Sequence, residues 1–175
     1  KGEGLNYGSA GVGTTHHLAG ELLAKMGELK LVHIPFKGDA ASTTAVLGDQ
    51  VDFIIAPATA VEANIRAGKL RALAVTGTGR WLGMPEVPTV AEGGVPGYDV
   101  RSWAGWMLPA HTPPSVIQRL NEATRKALLV PQVRAQLRQM GGEAQASSPQ
   151  EMTAWVEQEL KKWQQVVKEA NIPRN

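Results

Sequence analysis

The residues best suited to chemistry in this 175-residue sequence form one glycine-rich segment, YGSAGVGTT, at positions 7–15. Glycines allow the backbone to turn with its N–H groups pointing inward, and the first turn of a following helix leaves further N–H groups unpaired. Such a turn binds anions, and hydroxyl side chains add donors to it. The segment therefore predicts an anion site formed by Ser9, Gly11, Gly13, Thr14 and Thr15.

The spacing of this segment departs from the known phosphate-binding motifs. Gly8 and Gly13 have the separation found in a P-loop, but Thr14 stands where that motif requires a lysine. The dinucleotide motif fails as well, because the glycines are arranged G-x-x-G-x-G. A turn that only connects a strand to a helix is the alternative without a function. The high hydroxyl content favours a site for a small carboxylate over a nucleotide site and over a turn without a function.

The sequence offers no convincing catalytic or metal-binding group. Acyl transfer would need Ser9 with His16 or His17, but the G-x-S-x-G turn of such enzymes is absent. Cysteine is absent too, which excludes thiol chemistry and cysteine-based zinc sites. The adjacent histidines diverge around a helix, and no carboxylate has the spacing of a shared metal ligand. We therefore expect no catalytic residue, no metal and no cofactor.

Charge and hydropathy limit the partners that the chain can have. The formal net charge is +2 without a sustained basic patch, so nucleic-acid binding is not expected. No apolar run approaches the roughly twenty residues of a membrane span, so the chain is not expected to be embedded in a membrane. A signal peptide is absent from the sequence, which predicts either a cytoplasmic chain or a mature or truncated product.

Strand and helix patterns alternate through the first half of the chain. This order predicts an α/β fold with a mostly parallel sheet flanked by helices on both faces. Ligands of such sheets collect where the strands end, so we expect the turns at 8–15, 36–40 and 56–59 to meet around one site. The predicted strands after the first are 30–34, 51–56 and 70–75, and the predicted helices between them are 40–47 and 58–67.

The last third of the sequence is predicted to be almost entirely helical. Ser148 and Glu151 form a capping box at the start of a long helix with one apolar face. Two shorter helical patterns precede it, one after the proline-rich segment 109–114 and one over 131–140. Because each pattern carries an apolar stripe, these helices need a partner surface.

Four segments in the same order resemble successive motifs of one family, the substrate-binding proteins of tripartite tricarboxylate transporters, also called the Bug or TctC-like family. They are YGSAGVGTTHHLAGELL, LVHIPFKGDAASTTAVLGDQVDF, IRAGKLRALAVTG and MPEVPTVAEGGVPGYDV, and the C-terminal helical part is similar as well. The resemblance implies a type II periplasmic-binding-protein-like fold, in which two α/β domains close by a hinge on a small carboxylate. It also implies a periplasmic receptor without enzymatic activity that delivers its ligand to the membrane subunits of a transporter.

The same resemblance implies a division of the chain into parts of two domains. Residues 1–108 would form a nearly complete ligand-binding domain two. Residues 109–175 would be C-terminal helices of domain one, whose remainder lies outside this sequence. That division explains why the helical stripes of the last third lack a partner within the sequence itself.

The resemblance assigns the ligand carboxylate to the glycine-rich segment and adds residues from the next two turns. Asp39 has two interpretations, either a helix N-terminal acid favoured by the dipole or a side chain that binds a cationic group of the ligand. His17 is interpreted as structural and Lys37 as solvated. Family members commonly have an acidic or amide residue after the third strand, and this sequence departs from that pattern. The full predicted set is Ser9, Gly11, Gly13, Thr14, Thr15, Gly38, Asp39, Pro57 and Ala58.

The identity of the ligand stays open at this point. A dicarboxylate, a tricarboxylate, an amino acid and an aromatic acid all offer the same carboxylate to the glycine-rich segment. A ligand-sensing module for signal transduction is the alternative function, and a hydrolase or a nucleotide-binding domain would require groups that the sequence does not supply.

Overall fold

Residues 4–172 are described by the computed structural model, and their elements follow the alternating order that the sequence predicts. The strands are β1 (Leu5–Ser9), β2 (Leu31–Pro35) and β3 (Phe53–Ile54). The helices are α1 (Thr15–Met26), α2 (Asp39–Leu47), α3 (Ala58–Arg66), α4 (Pro114–Ala127), α5 (Pro131–Gln139) and α6 (Pro149–Glu169).

The three strands form a parallel sheet in the order β2-β1-β3. β1 pairs with β2 from Leu5↔Leu31 to Ser9↔Pro35, and with β3 at Tyr7↔Phe53 and the next position. Since all strands run in one direction, their carboxyl ends lie at one edge of the sheet. Since parallel crossovers are right-handed and the chain moves first to one side of β1 and then to the other, we expect α1 and α2 on opposite faces of the sheet. The predicted parallel sheet flanked by helices is confirmed.

Tyr7 is the centre of the packing between α1 and the sheet. Its side chain is fully buried, and a Cβ added at Gly20 of α1 would lie 2.2 Å from the Tyr7 ring. The helix therefore contacts the strand directly at a glycine. Tyr98 is also buried, and its hydroxyl donates to the Ala19 carbonyl at 2.8 Å, which ties a distant loop to the same helix.

Two strand predictions need correction. The predicted strand at 51–56 is shortened to Phe53–Ile54, because its ladder with β1 spans only two positions. The predicted buried strand at 70–75 is irregular, and Leu73 is 65% exposed. Within the described residues that segment pairs only through an isolated bridge from Val75 to Thr89. An apolar run becomes a strand only where a neighbour completes its hydrogen bonds.

The chain divides into two compact units. The first unit consists of two segments, the residues up to Ser102 and the residues from Gln165 onward. The second unit is Trp103–Gln164. The second unit contains α4, α5 and the first part of α6. Its predicted capping box is confirmed, since the Ser148 N–H donates to Glu151 Oε2 at 2.7 Å and the Glu151 N–H donates to Ser148 Oγ at 3.2 Å. The predicted division at residue 108 stays a prediction.

Helices α4 and α5 expose much of the apolar surface that the sequence assigned to stripes. Neither helix contains a buried residue. In α4, the stripe residues Val116 and Leu120 are 43% and 47% exposed. Among the helices of residues 4–172, none is long and apolar enough to cross a membrane.

Candidate ligand-binding site

The turns that follow the three strands lie at the same edge of the sheet, and hydrogen bonds join two of them. The Phe36 N–H donates to the Ser9 carbonyl at 3.0 Å, and the Gly38 N–H donates to the Ala10 carbonyl at 3.2 Å. On the other side of β1, the Ile55 N–H donates to the Gly8 carbonyl at 3.3 Å. The structure thus brings the glycine-rich loop together with the turn that contains Gly38 and Asp39.

Pro57 and Ala58 are placed at this edge without a direct bond to the loop. Pro57 is the residue that caps α3, and Ala58 is its first residue. Across residues 4–172, no hydrogen bond connects either of them to the glycine-rich loop. Their predicted ligand contact stays a prediction.

The loop itself, residues 9–15, is shaped by two glycines and closed by a threonine. Gly11 and Gly13 have φ values of +136° and +76°, which side chains with a Cβ rarely adopt. Thr14 then caps α1, because its Oγ1 accepts from the His17 N–H at 3.3 Å. The Thr14 hydroxyl donates to the Gly11 carbonyl at 2.8 Å. The loop therefore ends in a fixed helix start.

Ser9 contributes to the loop from inside the protein. Its side chain is fully buried, and its Oγ accepts from the Gly11 N–H at 3.1 Å and lies 2.6 Å from His33 Nε2. The hydroxyls of Ser9 and Thr14 are thus engaged in holding the loop. The groups left to donate to a ligand are the hydroxyl of the exposed Thr15 and the N–H groups of Thr15 and His16, which helix geometry leaves without intrahelical acceptors.

Two stacked histidines lie behind the loop. The rings of His17 and His33 have centroids 3.7 Å apart at an interplanar angle of 12°, and His17 is buried. The Gly13 N–H donates to His17 Nδ1 at 3.0 Å, as the predicted structural role requires. Burial lowers the pKa of His17, and burial with the neighbouring His17 charge lowers the pKa of His33 to about 4.

A carboxylate and a phenol complete this buried cluster. The Tyr7 hydroxyl donates to Glu21 Oε1 at 2.8 Å, and the same carboxylate oxygen lies 3.6 Å from His17 Nε2. Burial and the Glu21 hydrogen bond raise the pKa of Tyr7 well above its usual range. The phenol therefore stays neutral and donates to the Glu21 carboxylate.

His33 is the residue of this cluster that sequence analysis missed. It lies inside the apolar strand segment LVHIP, and its partner Ser9 is 24 positions away in the chain. The signal that could have found it is a polar side chain in a predicted buried strand, close to that strand's carboxyl end. Such a side chain needs a partner when it is buried.

Asp39 and His16 meet where the first turns of α1 and α2 approach each other. His16 Nδ1 lies 3.4 Å from Asp39 Oδ1, and both atoms are buried without another hydrogen-bond partner among the described residues. The Asp39 side chain is still 34% exposed. A carboxylate with one exposed and one buried side is therefore present beside the loop.

The geometry does not support the hydrolase alternative. Ser9 and His33 are close enough for a serine–histidine pair, but a fully buried hydroxyl cannot reach a substrate. His16 and His17, which the sequence offered as bases, contact Asp39 and Gly13 instead. Within residues 4–172 no group of three His, Cys, Asp or Glu side chains is arranged to hold a metal ion.

Comparison with known proteins identifies the family. The sequence matches TctC, the tripartite tricarboxylate transporter family receptor, over residues 2–172. The chain belongs to this receptor family. The resemblance inferred from the four motifs is thereby confirmed.

Similar proteins agree in sequence and fold with this receptor family. The UPF0065 protein of the tcbD-tcbE intergenic region of Pseudomonas sp. (strain P51) is 37% identical over 98% of this chain and 51% of its own length. The structure of R. palustris Rpa4515 with adipate is 35% identical with a TM-score of 0.80, covering 96% of this chain and 56% of that one. The structure of the periplasmic binding protein BugD is 30% identical with a TM-score of 0.73, covering 98% and 58%.

The coverage values show how much of these relatives the chain corresponds to. It spans about half the length of the relatives that it matches. Its fold is that of periplasmic binding proteins, and its family is one of periplasmic solute-binding receptors. The edge at which the three strands end, with the loop of residues 9–15, lies within this chain.

Proposed function

We propose that this chain is the carboxylate-binding part of an extracytoplasmic solute receptor of the periplasm. The observation that carries the proposal is the loop of residues 9–15, which presents the N-terminus of α1 at the carboxyl edge of a parallel sheet. Backbone N–H groups and a helix dipole at such a position favour an anion. A relative of the same fold was solved with adipate, a small dicarboxylate.

In the proposed site a ligand carboxylate accepts hydrogen bonds from the start of α1. Thr15 donates through its hydroxyl, while Ser9 and Thr14 hold the loop in shape behind it. Hydrogen bonds to a charged acceptor are stronger than neutral ones, so a few N–H donors replace a buried arginine. The turn at Gly38 and Asp39 and the start of α3 at Pro57 and Ala58 complete the proposed contacts.

The remaining proposals concern the whole protein. Residues up to about 108 belong to one ligand-binding domain, and the helices after 109 belong to the other. Hinge closure buries the ligand, and the closed form delivers it to the membrane subunits of a tripartite tricarboxylate transporter. Only a difference in affinity between open and closed forms drives that closure. The receptor binds its ligand without chemical turnover.

A thermal-shift screen of the whole gene product against small carboxylates tests the proposal. The panel contains adipate, malate, citrate, glutamate and benzoate. A true ligand at a hundredfold excess over its Kd stabilises the folded state by about 2.7 kcal/mol. Thr15→Val removes the exposed hydroxyl at the loop and should reduce the shift. Thr153→Val, an exposed threonine near the start of α6, is the matched control and should leave it unchanged. Absence of a shift with every carboxylate contradicts the proposal.

A further inference from the structure

The loop of residues 9–15 is held from the inside by two histidine rings. His17 Nδ1 accepts from the Gly13 N–H at 3.0 Å. His33 Nε2 lies 2.6 Å from Ser9 Oγ, which accepts from the Gly11 N–H at 3.1 Å. The Gly13 amide is therefore held directly by His17, and the Gly11 amide is held by His33 through Ser9. Both glycines have positive φ, and the two imidazole rings stack on each other.

We propose that His17 is a positioning residue that keeps this loop in its ligand-binding shape only while its ring is neutral, so that ligand affinity falls when the protein is acidified. The inference rests on the proposed carboxylate site, since the loop is its main element. It concerns a residue that has no contact with the ligand and acts through the Gly13 amide.

The hydrogen bond from Gly13 fixes the tautomer of His17. A backbone N–H must point at a lone pair, so Nδ1 is unprotonated and the ring hydrogen is on Nε2. Protonation of the ring would place a second N–H against the Gly13 N–H. One of the two donors must then turn away. A Cβ added at Gly13 would meet nothing within 4 Å, so there is open space beside this residue, and we expect its peptide to rotate more easily than the buried ring.

Groups on each neighbouring element face His17 and set its charge. Glu21 of its own helix, 3.6 Å from Nε2, favours the protonated ring. Tyr7 of β1 donates to that carboxylate, and the His33 ring of β2 lies against the imidazole face. Tyr98 donates to the carbonyl of Ala19 nearby. Burial outweighs Glu21 and lowers the pKa of His17, so the ring is neutral at neutral pH.

A protonated His17 would also attract the ligand carboxylate, which opposes the loss of loop shape. The Glu21 carboxylate lies on the far side of the ring and balances that charge. The loss of the hydrogen bond from the Gly13 N–H to His17 Nδ1 is not offset in this way. We therefore expect a net decrease in affinity on acidification.

The first experiment follows the whole gene product by ¹⁵N nuclear magnetic resonance between pH 7.5 and pH 4, without ligand. The expected result is an unprotonated His17 Nδ1 that is coupled through the hydrogen bond to the Gly13 amide. Both signals should titrate with the same midpoint. A Gly13 amide that stays constant while His17 titrates would overturn the inference, whatever the ligand proves to be.

The second experiment measures carboxylate binding by calorimetry at pH 7.5 and at a pH below the His17 midpoint found in the first experiment, with adipate and the rest of the panel as probes. His17→Asn retains an acceptor at the position of Nδ1 but cannot be protonated. Its affinity should match the wild type at pH 7.5 and lose less on acidification. His17→Leu removes the acceptor and should weaken binding about tenfold at both pH values, as expected for one lost hydrogen bond. His111→Asn, the same change at an exposed histidine, should behave as the wild type.

The outcomes separate the two proposals. Protonation of the ligand itself affects every variant alike, so only differences between variants count. Wild-type affinity in His17→Leu, or an unchanged pH dependence in His17→Asn, contradicts the positioning role. If His17→Leu does not fold, His17→Asn still decides. If no carboxylate binds the wild type, the proposed function fails, and the Gly13 titration alone decides the role of His17.

Discussion

At the scale of single residues, the hydroxyls of the glycine-rich loop have different tasks. Ser9 is fully buried and holds Gly11, while Thr14 caps α1 and donates to the Gly11 carbonyl. Thr15 is exposed at the start of α1. If the loop binds a carboxylate as proposed, backbone N–H groups and the Thr15 side chain therefore supply more of the donors than its hydroxyl content suggests.

If the proposed site is correct, we expect Asp39 to influence which ligands bind there. In that role its carboxylate would oppose a second ligand carboxylate and favour an ammonium group, and at about 6 Å and an effective dielectric constant of about 20 such a charge contributes on the order of 3 kcal/mol. Because Asp39 is partly exposed, we expect a smaller effect. Asp39→Asn should strengthen binding of adipate and weaken binding of glutamate, each by about tenfold. Competition calorimetry with the two ligands measures both changes.

The control for Asp39 lies at the other end of the same helix. Asp49 is an exposed carboxylate just after α2 with φ of +56°, a conformation that asparagine also tolerates. Asp49→Asn should leave the ligand preference unchanged. An unaltered preference in Asp39→Asn as well would assign Asp39 to helix capping alone.

At the scale of elements, the position of the loop depends on how closely α1 approaches β1. Gly20 permits that approach, since a Cβ there would lie 2.2 Å from the Tyr7 ring. The cluster of Tyr7, Glu21 and His17 connects the same contact to the loop. A change in the distance between α1 and β1 would therefore shift the loop at the proposed ligand-binding edge.

Gly20→Ala tests this packing. Alanine has the higher helix propensity by about 1 kcal/mol, so an exposed helix would become more stable. Here we expect the opposite, a loss of about 1–3 kcal/mol in the free energy of unfolding, because the methyl group overpacks the Tyr7 contact. Urea unfolding measures the difference. Gly79→Ala, where an added Cβ meets nothing within 4 Å, is the matched control and should be close to neutral. Stabilisation by Gly20→Ala would refute the close contact.

At the scale of the whole molecule, the two units differ in how much apolar surface they leave in contact with solvent. The unit Trp103–Gln164 exposes Trp106, Leu129 and Met140, which are 81%, 73% and 67% exposed. The first unit contains the sheet, the buried tyrosines and the proposed site. Exposed apolar side chains of this size promote association.

The 175-residue chain, produced by itself, should therefore associate as its concentration rises. Sedimentation velocity over a concentration series measures this, and the expected result is a sedimentation coefficient that increases with concentration. Replacing Leu129 and Met140 together by lysine should reduce the effect. Leu82→Lys, at an exposed leucine of the other unit, should not. A single monomeric species at every concentration would contradict the expectation.

The sequence by itself determined the features that depend on neighbouring residues. The glycine-rich turn, the helix start after Thr14 and the capping box at Ser148 are local, because each joins residues within a few positions of one another. The parallel order followed from alternating patterns, and the family followed from four motifs in sequence. Local propensity and spacing are sufficient for such features.

Only the tertiary structure decided which distant side chains meet. Ser9 reaches His33 and His16 reaches Asp39 because β2 lies beside β1 and the starts of α1 and α2 share one edge. The apolar run at 70–75 failed as a strand because a ladder needs a neighbour, which propensity does not supply. The loop could be predicted from its own residues, whereas the histidines behind it depend on the pairing of strands far apart in the chain.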